Sequence, residues 1–292
     1  MSHFTHRKGK GQEQIMNQAR VNGRTIAYHQ VGSGDPVVLL HAGFVADSMV
    51  PLLGRPELAG FRLIAPHRRG YGRSEPAQPP VAMRDLSMDV LGLLDTLEVD
   101  RAHLVGHSFG ANVALEAARV GPDRVVSLTL LEPPLGFYLS PEATDHLMAV
   151  VGAAMQQFAA GDLGAAVTTW LDGAFGPGWQ AIVERVLPGG VAQAAHDAPA
   201  ALGVEAAELQ VWPFGPDQLR EIRIPMLSVV HADPAWSGFQ EIHTALLGVG
   251  AEALEVDLPS HLLQIIDPAL VARGVTDFLA RHSLSVQARS RT

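Results

Sequence analysis

Short apolar runs alternate with amphipathic stretches through the first half of the chain, and that alternation is its first structural signal. Gln18–Val21 and Thr25–Val31 flank Asn22-Gly23-Arg24, and Asn-Gly between two β-like runs predicts a hairpin. Val37–Leu40 is a continuous apolar run of the kind buried on both faces of a parallel sheet. Phe61–Ala65 repeats that signal after a short helix over Ser48–Leu53. Arg84–Leu97 carries Leu86, Val90, Leu93, Leu94 and Leu97 at helical spacing. The strand Ala102–Gly106, the helix Ala111–Arg119 and the strand Val125–Leu131 follow. Strands and helices in this order predict an α/β protein with a doubly wound, mostly parallel sheet.

The rhythm changes after Glu132. Pro141–Ala160, Leu163–Phe175 and Trp179–Leu187 have helical periodicity, and no strand signal interrupts them up to about Glu221. Strands return at Ile224–Val230 and Ala253–Val256, with helices over Gly238–Leu247 and Leu262–Ala280. The expected organisation is one α/β core, 18–132 and 222–282, with 133–221 inserted as a helical lid. Residues 1–17 are expected to be a disordered N-terminal extension and 283–292 a frayed tail.

Composition narrows the options. A 47% hydrophobic content with 17% charged residues suits a soluble globule with a sizeable core. A net charge of −9 disfavours nucleic acid and anionic membrane as partners, since neither attracts an acidic chain. The chain has no cysteine, so disulfides, thiolate metal sites and a cysteine nucleophile are excluded. No apolar run reaches the length of a membrane-spanning helix, and the polar, basic first residues lack the apolar core of a secretory signal. A cytoplasmic location is therefore expected.

The candidate chemistry centres on Gly106-His107-Ser108-Phe109-Gly110. This G-x-S-x-G pentad lies between a predicted strand and a predicted helix, the context in which such a turn exposes its serine hydroxyl above the carboxyl end of a sheet. A serine hydroxyl needs a base, and the base needs an orienting acid. Among 13 histidines, His261 follows the last predicted strand and precedes the last helix, on the side of the sheet where Ser108 points. His107 should project away from Ser108; His29, His103, His146, His196, His231 and His243 are assigned ordinary surface or core roles. For the acid, Asp233 follows Ile224–Val230 and Glu132 follows Val125–Leu131; Asp233 is the first choice and Glu132 the alternative. Asp233 also opens a turn before Pro234, a structural role that would leave the acid to Glu132. Backbone donors for a developing oxyanion are expected from Phe109 and from Gly43 or, failing that, Phe44. No H-E-x-x-H pattern or other compact ligand set occurs, so neither a metal nor a cofactor is expected.

With those residues in place the chain resembles the α/β-hydrolase superfamily from about Gln18 to His282. The motifs are Leu39-Leu40-His41-Ala42-Gly43-Phe44, Arg69-Gly70-Tyr71-Gly72-Arg73-Ser74 and the Ser108 pentad, with Asp233 and His261 further on. The resemblance implies an eight-stranded sheet, a Ser108–Asp233–His261 triad, a lid over the pocket and esterase-like hydrolysis of a small-molecule substrate. Two positions depart from the pattern: Ala42 replaces a glycine in the loop after Leu40, and His67 replaces an aspartate before Arg68. Met148, Trp170, Phe175 and Trp212 are candidates for an apolar substrate pocket. Two other uses of the fold stay open: a non-hydrolytic enzyme with His261 as base, and a ligand-binding protein without turnover.

Overall fold

The computed structural model describes residues 16–232 and 237–284. The chain opens with β1 (Met16–Val21) and β2 (Arg24–Val31), an antiparallel pair joined by Asn22 and Gly23, both at positive φ. That is the geometry a two-residue hairpin needs to match strand twist. β3 (Asp35–Leu40) leads through a short turn of 3-10 helix to α1 (Val50–Leu53), then β4 (Phe61–Pro66) and α2 (Met83–Thr96). β5 (Ala102–His107), α3 (Phe109–Val120) and β6 (Val125–Leu131) complete the first half. Next come the helices α4 (Pro141–Ala159), α5 (Leu163–Phe175), α6 (Trp179–Val186), α7 (Gly190–Ala200), α8 (Ala206–Val211) and α9 (Pro216–Glu221). β7 (Met226–His231), α10 (Gly238–Gly248), β8 (Glu252–Val256), α11 (Leu263–Ile266) and α12 (Pro268–Arg281) close the fold.

The eight strands form one sheet in the order β1-β2-β4-β3-β5-β6-β7-β8, parallel from β4 through β8. Its central strands are buried along their whole length, which explains why they read as unbroken apolar runs. Helices cover both faces: α2 and α3 pack their apolar faces on one side, α1 and α12 on the other. A third apolar cluster joins the helices between β6 and β7 to Phe44 and Tyr71 of the core.

Two boundaries differ from the sequence expectation. β1 starts at Met16, inside the segment read as an extension, because Met16 and Asn17 pair with His29 and Tyr28. The final helix is broken in two at Asp267-Pro268, where the proline lacks an N–H and the Asp267 side chain accepts a bond from Leu270 N to start α12. Within the helical segment 133–221, the stretch after Leu187 holds α7, a π-helical turn over Ala201–Glu205 and α8.

The turn from β5 into α3 is set by close backbone approach. A Cβ on Gly110 would be driven into the carbonyl oxygens of Leu40 and His41, and one on Gly106 would lie 2.5 Å from Gly110 O. Only glycine lets α3 sit this close to β3 and β5. Gly110→Ala should therefore lower unfolding stability by about 2–3 kcal/mol, read from denaturant unfolding; an unchanged midpoint would contradict the packing described.

Candidate active site

Ser108 follows the last residue of β5 and holds φ 52° and ψ −125°, a conformation that non-glycine residues rarely adopt. Such a backbone costs on the order of 1–3 kcal/mol and persists only where its surroundings hold it. Here Ser108 N donates to Leu131 O at 2.8 Å, and Ala111 N donates back to Ser108 O at 2.8 Å. Phe109 begins α3, so its N–H has no carbonyl one turn earlier within the helix, and the positive end of the helix faces the same space.

Glu132 occupies the matching position at the end of β6, also at positive φ (48°), with its N–H bonded to Val229 O at 3.1 Å. Its side chain is buried and gathers three donors. His261 Nδ1 donates to Oε2 at 2.5 Å, while His231 Nδ1 (2.5 Å) and His231 N (2.7 Å) donate to Oε1. A carboxylate can only accept, so the proton lies on Nδ1 of each ring. Burial pushes the Glu132 carboxyl up, but the bonds from His231 and His261 outweigh it and hold it at about 2. Ionised Glu132 thus fixes the tautomer of His261 and leaves Nε2 as an acceptor.

Among the expected partners, Ser108, His261, Gly43, Phe44 and Phe109 all line one cavity of about 460 Å³. Met148, Trp170, Phe175 and Trp212 line the same cavity, Met148 being half exposed. Asp233, the first choice for the acid, lies outside the described residues. Glu132, the alternative, is the carboxylate bonded to His261. The imidazole of His261 stacks on Phe239 at 4.4 Å and lies 5.8 Å from Phe175, which holds the ring in an apolar slot.

The residues that sequence reasoning passed over sit around this core. His231, assigned an ordinary role, shares Glu132 with His261; its place one residue after Val230 was the available signal. His107 lies against His261 with ring centroids 4.5 Å apart, and burial followed by the nearby His261 lowers it to about 3, so it stays neutral. Glu205 lines the cavity from the π-helical turn, and nothing in its alanine-rich surroundings marked it.

The motif departure at His67, and His41 beside it, have physical accounts. His67 Nε2 donates to Asp47 Oδ1 at 2.9 Å, and its Nδ1 accepts from Arg73 N at 3.1 Å, so this ring fastens two loops. His41 Nε2 accepts from Arg68 N at 3.0 Å; burial, then the Arg68 charge, holds its pKa well below the ordinary value. Two groups bring ligand-type atoms together among the described residues: His29, Asp47 and His67, and His107, Glu132 and His261. Within them the His67 and His261 contacts are N–H to carboxylate hydrogen bonds, and a cation there would require removal of those protons.

A family model described as the alpha/beta hydrolase fold matches residues 36–181, half of the chain, and the chain belongs to that family. The dihydrolipoyllysine-residue acetyltransferase component of an acetoin cleaving system from Pseudomonas putida is 41% identical over 117 residues, covering 39% of this chain and 31% of that protein. The 2-hydroxymuconate semialdehyde hydrolase of Pseudomonas sp. strain CF600 is 40% identical over 108 residues, 35% of this chain and 38% of that protein. The chain therefore spans well under half the length of these two curated relatives. The enol-lactonase from Burkholderia xenovorans LB400 superposes with a TM-score of 0.69 over 90% of this chain and 100% of that one, at 24% identity, a likeness of fold.

The lowered Glu132 pKa makes a stability prediction. A carboxyl depressed on folding contributes stability that is complete above its ordinary value and lost as pH falls through the folded value. The stability gap between the protein and Glu132→Gln should narrow as pH drops from 4.5 towards about 2. Denaturant unfolding across that range measures it, and a constant gap would contradict the assignment.

Proposed function

We propose that the protein is a serine hydrolase that cleaves a carboxylic ester or related carbonyl compound through Ser108, His261 and Glu132. The observation that carries this reading is the 2.5 Å bond from His261 Nδ1 to Glu132 in a cavity that Ser108 also lines. His261 Nε2 takes the proton from Ser108 Oγ as the oxygen attacks the substrate carbonyl carbon. Ionised Glu132 stabilises the imidazolium that results. The N–H of Phe109, with that of Gly43 or Phe44, stabilises the negative oxygen of the tetrahedral intermediate. Collapse expels the alcohol, which takes its proton from His261 and leaves an acyl group on Ser108. Water, deprotonated by the same imidazole, then releases the acid.

The helices from α4 to α9 act as a lid in this reading, and they decide what reaches Ser108. Trp170, Phe175 and Trp212 give the cavity an apolar lining, which favours an apolar acyl or aromatic group over a charged one. Glu132 replaces Asp233 as the preferred acid because its carboxylate already meets the Nδ1 proton.

Kinetics on a chain-length series of p-nitrophenyl esters test the reading. Ser108→Ala should abolish turnover, and Glu132→Gln should lower kcat by about 10³–10⁴-fold, the loss typical when the orienting carboxylate of a triad is removed. Asp233→Asn should change kcat by no more than a few-fold. Unaltered hydrolysis by Ser108→Ala would overturn the mechanism. A larger loss at Asp233 than at Glu132 would overturn the choice of acid.

A further inference from the structure

The cavity has a polar feature that the proposed mechanism does not use. Glu205, only 4% exposed, brings a carboxylate into an otherwise largely apolar wall. It is the last residue of the π-helical turn Ala201–Glu205. A π-turn displaces the residues after it around the helix, and such turns recur at functional sites.

The two carboxylate oxygens have different tasks. Oε1 accepts from Arg68 Nη2 at 2.5 Å and from Arg68 Nε at 3.2 Å. Oε2 accepts from the Tyr71 hydroxyl at 2.6 Å, which fills one of its two acceptor positions. Arg68 also donates to the backbone carbonyls of His41 and Ala42 and lies 5.2 Å from the Phe109 ring centre. Arg68 and Tyr71 stand behind the cavity wall, whereas Glu205 is part of it. Burial pushes the Glu205 carboxyl up, and Arg68 opposes that shift. The pair is close to neutral overall, so a carboxylate can sit near a developing oxyanion without the full repulsion of a bare charge.

Position gives this acceptor a meaning. A Cβ built on Gly43 would lie 3.6 Å from Oε2, so the oxygen sits against the loop assigned to the oxyanion. We propose that Glu205 Oε2 is a hydrogen-bond-accepting subsite beside the reacting carbonyl, selecting esters whose acyl group carries a hydroxyl on its second or third carbon. The inference rests on the serine-hydrolase reading above. A role confined to tying the helical insert to the core would leave substrate preference unmoved.

The test compares p-nitrophenyl butanoate with its 2-hydroxy and 3-hydroxy analogues. Each kcat/KM is divided by that ester's rate of alkaline hydrolysis, which removes the intrinsic activation by the hydroxyl. A hydrogen bond to a charged group is worth enough to favour at least one hydroxy ester by about tenfold. In Glu205→Gln, Arg68 keeps the side-chain oxygen and the amide NH2 takes the Oε2 position, replacing an acceptor by a donor. The preference should then fall to about one or below. Hydrolysis of all three esters at equal corrected rates by the unmodified protein would overturn the subsite and leave the hydrolase reading standing, whether or not the variant folds. A tenfold preference that survives in folded Glu205→Gln would also overturn it. Absence of Ser108-dependent hydrolysis of all three would remove the hydrolase reading and the subsite with it.

Discussion

The buried carboxylate of Glu132 is the constraint around which the site is arranged. An ionised group without water needs donors, and leaving one unpaired there costs several kcal/mol. His231 at the end of β7 supplies two of them and His261 the third. The order β5-β6-β7 puts Ser108, Glu132 and His231 side by side at the carboxyl ends of adjacent strands. The loop after β8 then brings His261 across to the same carboxylate. Removing Glu132 would leave two imidazoles without their shared partner, so one side chain links the ends of the sheet to the proposed base.

The second constraint is steric. Ser108 can hold its positive φ because Gly106 and Gly110 let α3 press against β3 and β5. That close packing sets the start of α3, and with it the Phe109 amide, beside the loop that carries Gly43. The helices between β6 and β7 are fastened to this region by polar contacts: Asp197 accepts from Ala46 N and Gly72 N, and Gln193 bonds Asp47. Glu205 belongs to the same set of ties, but its carboxylate also faces the cavity. One pairing of Arg68 with Glu205 therefore joins insert to core and gives the cavity wall a polar point.

Much of this was legible in the chain. Asn22-Gly23 marked the hairpin, and the fully buried central strands appeared as apolar runs because both their faces are covered. The pentad around Ser108 and the position of His261 followed from strand–turn–helix spacing. The choice between Asp233 and Glu132 could not be made that way. Both follow strands that end at the same edge, and only side-chain geometry identifies the carboxylate meeting Nδ1. Glu205 was invisible for a different reason: a π-turn breaks the helical period from which a buried face is read. The break at Asp267-Pro268 lay within an apolar pattern that continued past it, and β1 began early because backbone pairing, not side-chain pattern, recruits Met16 and Asn17.

The account depends on His261 being held by Glu132, and proton NMR of the imidazole N–H resonances tests that contact directly. A short N–H to carboxylate bond moves its proton far downfield. The His261 resonance, told apart from that of His231 by its persistence in His231→Gln, should persist in Asp233→Asn and disappear in Glu132→Gln. Its survival in Glu132→Gln together with its loss in Asp233→Asn would contradict the account.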